Sequence, residues 1–157
     1  MRAHFNWHST RLPPAGTASD PCACPAGFSR CAGRCLSHLL TQKLTYAAAA
    51  AACAELGAHL AVPRSEAENQ CVISASVVQN QPMLGVTDIV DEGSFVGDDA
   101  RCGAVPADAA WWAAGEPNNA GDEDCVVVGS GMWNDVPCWL AYYPLCQLRH
   151  CHRPECP

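Results

Sequence analysis

Oxygen-bearing side chains are gathered in three short motifs in the last third of the chain. The motifs are Glu116-Pro117-Asn118, Glu123-Asp124-Cys125 and Trp133-Asn134-Asp135. They supply three carboxylates (Glu116, Glu123, Asp135) and two amide carbonyls (Asn118, Asn134). Calcium takes about six to eight oxygen ligands, whereas zinc prefers nitrogen or sulfur and magnesium needs a tighter octahedral set. The motifs therefore predict a calcium site with room for an external ligand.

The alternation of acid and amide suits a ligand that carries hydroxyl groups. A carboxylate only accepts hydrogen bonds, whereas an amide also donates through its NH₂ group. One hydroxyl can donate to Glu116, accept from Asn118 and offer a lone pair to the metal, and Glu123 and Asn134 can hold a second. The set contains no nucleophile, so it predicts the binding of a polyol such as a sugar without its cleavage.

The acidic residues of the chain are concentrated around these motifs. Ten of the 16 acids lie between Asp88 and Asp124, where Arg101 is the one base, so this window carries a charge of −9 within a net −7. Carboxylates at this density repel one another unless they are neutralised or well solvated. A solvated acidic loop is the alternative to a cation site. With nine Lys and Arg residues in the whole chain, nucleic acid is disfavoured as a partner, because phosphates need clustered bases.

Cysteine usage points to an oxidising compartment. The chain has 12 cysteines in 157 residues, an even number that favours disulfides and a secreted, extracellular protein. The first twenty residues lack the apolar core of a signal peptide, so we expect the signal to be absent from this chain. The longest apolar run, residues 46–54, is shorter than the roughly 20 residues of a membrane span, so no span is expected.

Catalytic motifs are not found in the sequence. It has no G-x-S-x-G, H-E-x-x-H, P-loop or G-x-G-x-x-G pattern, so we expect a binding protein and not an enzyme. A zinc site, with a zinc hydrolase as its function, can be drawn from the tail residues His150, Cys151, His152 and Cys156. The even cysteine count favours disulfides over that interpretation.

The order of elements predicts an α+β fold with helices first and short strands after them. Residues 1–21 are expected to be a disordered or artificial lead, residues 22–149 the domain, and residues 150–157 a cysteine-containing tail. Helices are predicted over 44–56, where six alanines precede Gly57, and from Ser65 to about Ser76, where Ser65 and Glu68 form a capping box. A stapled hairpin is expected over 22–35, with strands at 83–86, 125–128, 132–139 and 142–148. The long acidic loop between 87 and 124 is expected to be functional.

From Cys24 to Leu148 the chain resembles a C-type lectin domain of the long form. Cys24-Pro-Ala-Gly-Phe with Cys35 resembles the family's N-terminal hairpin, and residues 49–60 with Cys53 resemble its first helix. Met83-Leu84-Gly85-Val86 stands where the family has a W-I-G-L-type strand, with Met83 in the place of its tryptophan. The three oxygen-rich motifs, followed by Cys138 and Cys146, complete the match. The resemblance implies a disulfide-stabilised domain with two helices, small antiparallel sheets and a long calcium-binding loop region.

The resemblance also implies particular roles for residues. It implies the disulfides Cys24–Cys35, Cys53–Cys146 and Cys125–Cys138, and a cis bond before Pro117. It implies that calcium is bound by Glu116, Asn118, Glu123, Asn134 and Asp135. The order E-P-N is the family's signature for sugars with equatorial 3- and 4-hydroxyls, such as mannose, N-acetylglucosamine or fucose, whereas galactose binders usually carry Q-P-D. Trp112 and Trp133 fall at family core positions, while Trp111 and Trp139 are not assigned.

A second calcium site and the remaining cysteines are less fully determined by the resemblance. The second site would use Asp88, Glu92, Asn119, Glu123 and Asp124, although Asn119 stands where the family commonly has an aspartate; solvated loop acids are the alternative. Cys22, Cys31, Cys71, Cys102, Cys151 and Cys156 are left over, and six cysteines allow 15 pairings. Within the domain we expect Cys71–Cys102, and some of the others can bridge chains in a homo-oligomer.

Together these patterns predict a secreted lectin that binds mannose-type glycans with calcium as its cofactor, with recognition of microbial glycans in innate immunity as its role by analogy with the family. The alternative is a calcium-bound structural, protein-binding or mineral-binding module of the same fold that has no affinity for sugars.

Overall fold

The computed structural model describes residues 23–37, 41–78, 81–99, 104–105 and 109–148. The expectations for the lead, for Cys22 and Cys102, and for the tail with its His150, Cys151, His152 and Cys156 lie outside these residues. The helices are α1 (Tyr46–Glu55) and α2 (Glu66–Val78), with a short 3₁₀ turn at Ala109–Trp111. The strands are β1 (Phe28–Cys31), β2 (Arg34–Ser37), β3 (Ala58–Leu60), β4 (Pro82–Thr87), β5 (Val96–Gly97), β6 (Cys125–Gly129), β7 (Met132–Val136), β8 (Tyr143–Pro144) and β9 (Cys146–Leu148).

Helix α1 forms where the alanine run favours it and begins two residues later than predicted. Leu44 is not helical because its backbone forms an antiparallel bridge with Tyr142, and Thr45 is the extended residue that precedes the helix. Gly57, with φ of 69°, follows the last turn in the left-handed region that glycine adopts without strain.

Helix α2 begins directly after Ser65, but its predicted capping box is only half formed. The Glu68 N–H donates to the Ser65 hydroxyl over 3.3 Å. The Glu68 carboxylate reaches one residue beyond the Ser65 N–H that a capping box would use. It accepts from the Arg64 N–H at 2.8 Å and from the Arg34 Nε at 2.9 Å, which ties α2 to the N-terminal hairpin.

The strands form two sheets. The first has the order β1-β2-β9-β3 with antiparallel pairs, and the second has the order β5-β4-β6-β7 with β8 paired parallel to β4. The predicted strand over 142–148 is therefore divided between the sheets, because β8 joins the second and β9 joins the first. The buried Leu145 lies at the change of sheet, with its N–H bonded to the Met83 carbonyl and its carbonyl to the Ala61 N–H.

Strands β4 and β6 are buried on both faces and separate two hydrophobic clusters. Because alternate side chains of a strand point to opposite faces, the continuous apolar runs of these strands fill both clusters. The cluster that includes α2 contains Val72, Ala75, Leu84, Val86, Val126, Val128 and Trp133. The cluster that includes α1 contains Ala49, Cys53, Met83, Cys125 and Val127. The second sheet is thus the middle layer of the fold.

Four disulfides join the described residues. Cys24–Cys35, Cys53–Cys146 and Cys125–Cys138 have the pairings that the resemblance implies. The expected Cys71–Cys102 pair is wrong, since Cys71 is bonded to Cys31 with a Cα–Cα distance of 5.9 Å. The physical reason is that α2 packs against the N-terminal hairpin, which places Cys71 beside β1.

Within the described ranges, neither helix is long and apolar enough to cross a membrane.

Candidate functional site

The β6–β7 hairpin carries one half of the predicted ligand set. Asn134 pairs with Val127 and Asp135 with Val126 in its antiparallel register. Trp133, which precedes them, is fully buried, and its Nε1–H donates to the Asn69 Oδ1 of α2 at 2.9 Å. The backbone that presents Asn134 and Asp135 is therefore fixed by the core.

The segment that carries Glu116 and Asn118 is attached to the same strand. Trp112 forms a parallel bridge with Trp133, and the Ala113 N–H donates to the Trp133 carbonyl at 2.9 Å. The Glu116 N–H then donates to the Ala113 carbonyl at 2.9 Å and turns the chain, and the Glu116–Pro117 peptide bond is cis. Trp133 thus positions both halves of the candidate site: Asn134 and Asp135 follow it in β7, and the segment with Glu116 is bonded to its backbone.

Asp135 holds the loop after Pro117 through its carboxylate. This side chain is 1% exposed, and its two oxygens share the Asn118 N–H at 3.1 Å each. The Asn119 N–H donates to Oδ2 at 2.8 Å. Bonds from N–H groups to an ionised acceptor are stronger than bonds between neutral groups. Asp135 is therefore both a predicted ligand and the residue that positions the loop.

The remaining predicted ligands meet within the loop itself. The Asn118 Nδ2–H donates to Glu116 Oε1 at 2.9 Å. The Ala120 N–H lies between two acceptors, Asn118 Oδ1 at 2.7 Å and Glu123 Oε2 at 2.9 Å. Hydrogen bonds thus connect Glu116, Asn118, Glu123 and Asp135 in one cluster, and Asn134 is the half-buried neighbour of Asp135 in β7. We call these five residues the principal cluster.

Negative charge accumulates in the principal cluster. Burial raises the pKa of Glu116, and the neighbouring carboxylates of Asp135 and Glu123 raise this pKa further, against the opposing effect of the Asn118 amide. The ionised form of a carboxyl group whose pKa is raised in this way is repelled by its carboxylate neighbours, and a cation that entered the cluster would stabilise it.

A second acidic cluster contains three of the residues predicted for the second calcium site. Asp88 is 2% exposed; its Oδ2 accepts from the Gly93 N–H at 2.8 Å, and its own N–H donates to the Asp124 carbonyl at 3.2 Å. Desolvation and the charge of Asp88 raise the pKa of Glu92, while burial, Asp122 and Asp88 raise the pKa of Asp124. We call Asp88, Glu92 and Asp124 the auxiliary cluster.

Asn119, which was predicted for the second calcium site, is hydrogen-bonded to the principal cluster. The Glu123 N–H donates to Asn119 Oδ1 at 2.8 Å, and the Asn119 N–H donates to Asp135 Oδ2 at 2.8 Å. Glu123 in turn directly precedes Asp124 of the auxiliary cluster in the chain.

Two buried side-chain oxygens of the described residues have no hydrogen-bond partner, and each belongs to one of these clusters. They are Glu116 Oε2 and Asp88 Oδ1. An unsatisfied buried polar atom is costly, so its presence calls for a specific reason. A cation at each cluster would provide it. Within the described ranges, no three His, Cys, Asp or Glu side chains are grouped so that they could hold a metal ion by themselves.

The aromatic residues behind the site are part of its support. Trp112 and Trp133 are buried as expected, with ring centroids 5.5 Å apart. Trp111, which the sequence left unassigned, packs on Trp133 and donates from Nε1 to Glu66 Oε2 at 2.6 Å. Sequence patterns gave no signal for this bond or for the Trp133–Asn69 bond, because the two partners of each bond are far apart in the chain. Trp139 is 60% exposed.

Comparison with known proteins defines the class of this domain. The profile of the family described as "Lectin C-type domain" matches residues 42–148. The chain belongs to the C-type lectin domain family, whose domains are generally binding modules and not enzymes.

Solved structures share the fold at low sequence identity. The carbohydrate-recognition domain of the mouse scavenger receptor C-type lectin has 26% identity and a TM-score of 0.70, with coverage of 83% of this chain and 100% of that chain. The corresponding domain of cow CD23, solved in the presence of a GlcNAc2Man3 oligosaccharide, has 27% identity and a TM-score of 0.70, with coverage of 82% and 98%. A calcium-independent type II antifreeze protein has 24% identity and a TM-score of 0.68, with coverage of 80% and 93%, and shares the fold alone.

Proposed function

We propose that this protein is a calcium-dependent lectin that binds mannose-type sugars through the principal cluster. The observation that carries the proposal is the pair of buried, unpartnered carboxylate oxygens, one in each acidic cluster. Glu116, Asn118, Glu123, Asn134 and Asp135 would hold the principal calcium ion. Asp88, Glu92 and Asp124, with Asn119 and Glu123, would hold a second one. Bound calcium supplies a Lewis-acidic partner for hydroxyl oxygens.

The chain's own residues explain which ligand would be held. Glu116 and Asn118 already lie within hydrogen-bond distance of each other at 2.9 Å, so one hydroxyl can donate to the carboxylate and accept from the amide. Asp135 fixes the loop backbone on which Asn118 lies, which lowers the entropy that ligand binding would cost. By resemblance to the family, the order Glu116-Pro117-Asn118 would favour vicinal equatorial hydroxyls, as in mannose, N-acetylglucosamine and fucose.

The disulfides support an extracellular location, because oxidised cysteines persist in oxidising compartments. By analogy with the family, surface glycans of microbes are the proposed partners, in innate recognition. Weak single sites gain avidity when they are repeated, so we propose a homo-oligomer, in which disulfides between chains are one proposed link.

A second candidate function is a calcium-bound structural, protein-binding or mineral-binding module without sugar affinity. It is compatible with the fold, which a protein described as a type II antifreeze protein also adopts. A glycan array probed in calcium separates the two: signal on mannose-type glycans supports the lectin, and a blank array with tight calcium binding supports the module.

Chelation is expected to release the protein from a mannose matrix. Protein loaded in about 5 mM calcium should elute in excess EDTA, because the carboxylates of the principal cluster require the cation to satisfy their charge. A wash with an equal concentration of EDTA saturated with calcium is the control for ionic strength. Retention that persists through excess chelator would contradict the proposal.

The double substitution Glu116→Gln with Asn118→Asp is expected to shift preference from mannose toward galactose. It exchanges the carboxylate and the amide across Pro117, so the donor and acceptor directions offered to a hydroxyl are reversed. We expect the ratio of mannose to galactose affinity to change by at least about tenfold, measured by competition titration. The single Asp91→Asn variant, at an exposed position outside both clusters, is the control. An unchanged affinity ratio in the double variant would contradict the specificity argument.

Calcium binding is expected to weaken in mild acid. The raised pKa of Glu116 means that protons compete with a cation at a higher pH than at an ordinary glutamate, and affinity falls as pH drops through that raised value. Calorimetric titration of calcium at about pH 7.5, 6.5 and 5.5, with circular dichroism to monitor folding, tests this. Equal affinity at all three would argue against a role for Glu116.

A further inference from the structure

Helix α2 is hydrogen-bonded to two of the tryptophans that lie behind the candidate site. The Trp133 Nε1–H donates to Asn69 Oδ1 at 2.9 Å, and the Trp111 Nε1–H donates to Glu66 Oε2 at 2.6 Å. The two indole rings also pack on each other, with centroids 5.1 Å apart. The nitrogen of an indole ring is its one polar atom and can only donate. In both rings, α2 supplies the acceptor.

These two tryptophans belong to the segments that carry the predicted calcium ligands. Asn134 and Asp135 directly follow Trp133 in β7. The Trp133 carbonyl accepts the Ala113 N–H at 2.9 Å, and Trp111 lies two residues before Ala113 in the segment that carries the other half of the principal cluster. A shift of either ring would therefore change the spacing between the two halves.

The helix that supplies the acceptors is itself fixed from another side. Glu66 and Asn69 are three residues apart, so they are neighbours on the surface of α2. Glu68 and Cys71 each follow them by two positions, which corresponds to a rotation of about 200° around the helix. There the Glu68 carboxylate accepts from the Arg34 Nε at 2.9 Å, and Cys71 forms its disulfide with the N-terminal hairpin. Helix α2 thus connects the hairpin to the tryptophans.

The bond between Asn69 and Trp133 restrains the ring more narrowly than apolar packing alone. Trp133 is fully buried and Asn69 is 1% exposed, so water is not an alternative partner for the indole N–H. A buried donor without an acceptor is costly, and a hydrogen bond fixes both a distance and a direction. Groups that orient metal ligands from behind change metal affinity by about 10- to 100-fold when they are removed. Asn69 acts through one intervening residue, so we expect the lower end of that range.

We propose that Asn69 and Glu66 of α2 are positioning residues for the calcium site and act through Trp133 and Trp111. Neither side chain belongs to the principal or the auxiliary cluster. Their role is to hold the two rings, so that the oxygen ligands are already arranged before a cation enters, which lowers the entropy that binding costs. This inference rests on the proposed lectin function and adds a helix outside the ligand set to its site.

The first test measures calcium affinity by calorimetry in variants of Asn69. Asn69→Leu keeps a side chain branched at the γ carbon but has no acceptor, and it is expected to bind calcium about tenfold more weakly. Asn69→Asp keeps an acceptor oxygen for the indole N–H and should bind within about threefold of the unaltered protein. Urea unfolding of each metal-free variant shows whether it is folded before calcium is added.

A second variant tests the other contact at a position where folding is not at risk. Glu66 is exposed, and Glu66→Ala removes the acceptor for Trp111; we expect calcium affinity to fall by at least about threefold. Glu55→Ala, which removes the same charge from an exposed position of α1, is the matched control. Gln147→Leu removes a 5% exposed amide from the first sheet and controls for loss of stability. Both controls should bind calcium as the unaltered protein does.

The outcomes separate the positioning role from the proposed function. If the unaltered protein binds no calcium, the proposed function fails. If it binds calcium and both Asn69→Leu and Glu66→Ala retain its affinity, the proposed function stands and the positioning role is overturned. An equal loss in Asn69→Leu and Gln147→Leu would also overturn it, because affinity would then follow stability. If Asn69→Leu does not fold, the comparison of Glu66→Ala with Glu55→Ala decides, and equal affinities would overturn the role.

Discussion

Asp135→Asn is expected to weaken calcium affinity, and retention on a mannose matrix with it, by about 100-fold or more. The substitution removes a charge and replaces one acceptor oxygen with an NH₂ group that faces the N–H groups of Asn118 and Asn119. Hydrogen bonds to charged groups contribute about 1.5–3 kcal/mol each, so weakening two of them accounts for that factor before any direct loss of cation binding.

The control for this prediction is Asp91→Asn, which removes the same charge from an exposed position in the same acidic window. Calcium affinity is measured by calorimetry, and circular dichroism reports whether the helices persist. Glu123→Gln, at a partly exposed position in the same cluster, provides a second variant if Asp135→Asn proves unstable. Calcium affinity within threefold of the unaltered protein for both variants would contradict the assignment of the principal cluster.

Among the four described disulfides, removal of Cys53–Cys146 is expected to cause the largest loss in the free energy of unfolding. Its two cysteines are buried and separated by 93 residues, whereas Cys24 and Cys35 are separated by 11. In the chain-entropy description, the longer loop contributes about 4–5 kcal/mol and the shorter about 3 kcal/mol, because a long cross-link restricts the unfolded chain more.

The measurement is urea unfolding followed by tryptophan fluorescence, for the double alanine variant of each disulfide. The Cys53/Cys146 variant should lose about 2 kcal/mol more of its free energy of unfolding than the Cys24/Cys35 variant. Equal losses would show that native packing or residual structure in the unfolded state, and not loop length, determines the contribution of these bonds.

The elements that sequence patterns predicted well are those with a strong local cause. The alanine run before Gly57, the capping residue Ser65 and the apolar run at 125–128 each act within a few residues, and a helix or strand lies at each place. Strand β3 was missed because its three residues are too short to show a period. The division of residues 142–148 between two sheets depends on pairing with β4 and β2, which is tertiary information.

The candidate site was predictable in its composition but not in its connections. The three oxygen-rich motifs, and then the resemblance, supplied the five residues of the principal cluster, and the structure brings four of them together by hydrogen bonds. Local patterns did not indicate that Asp135 holds the loop backbone. They also did not indicate that the segment with Glu116 is bonded to the backbone of Trp133, next to Asn134 and Asp135. The Cys31–Cys71 bond was missed for a related reason: pairing among leftover cysteines depends on how α2 packs against the hairpin.

The segment between Phe95 and Val105 has its two ends side by side. The Val105 N–H donates to the Phe95 carbonyl at 3.0 Å, and Ala104 forms an antiparallel bridge with Val96. Closure of a surface loop costs only about 0.6 kcal/mol for each doubling of its length. Because its base is closed, this stretch can lengthen or shorten in evolution without moving Trp133 or the residues that depend on it. The same closure makes it a suitable position for grafting a foreign peptide near the principal cluster.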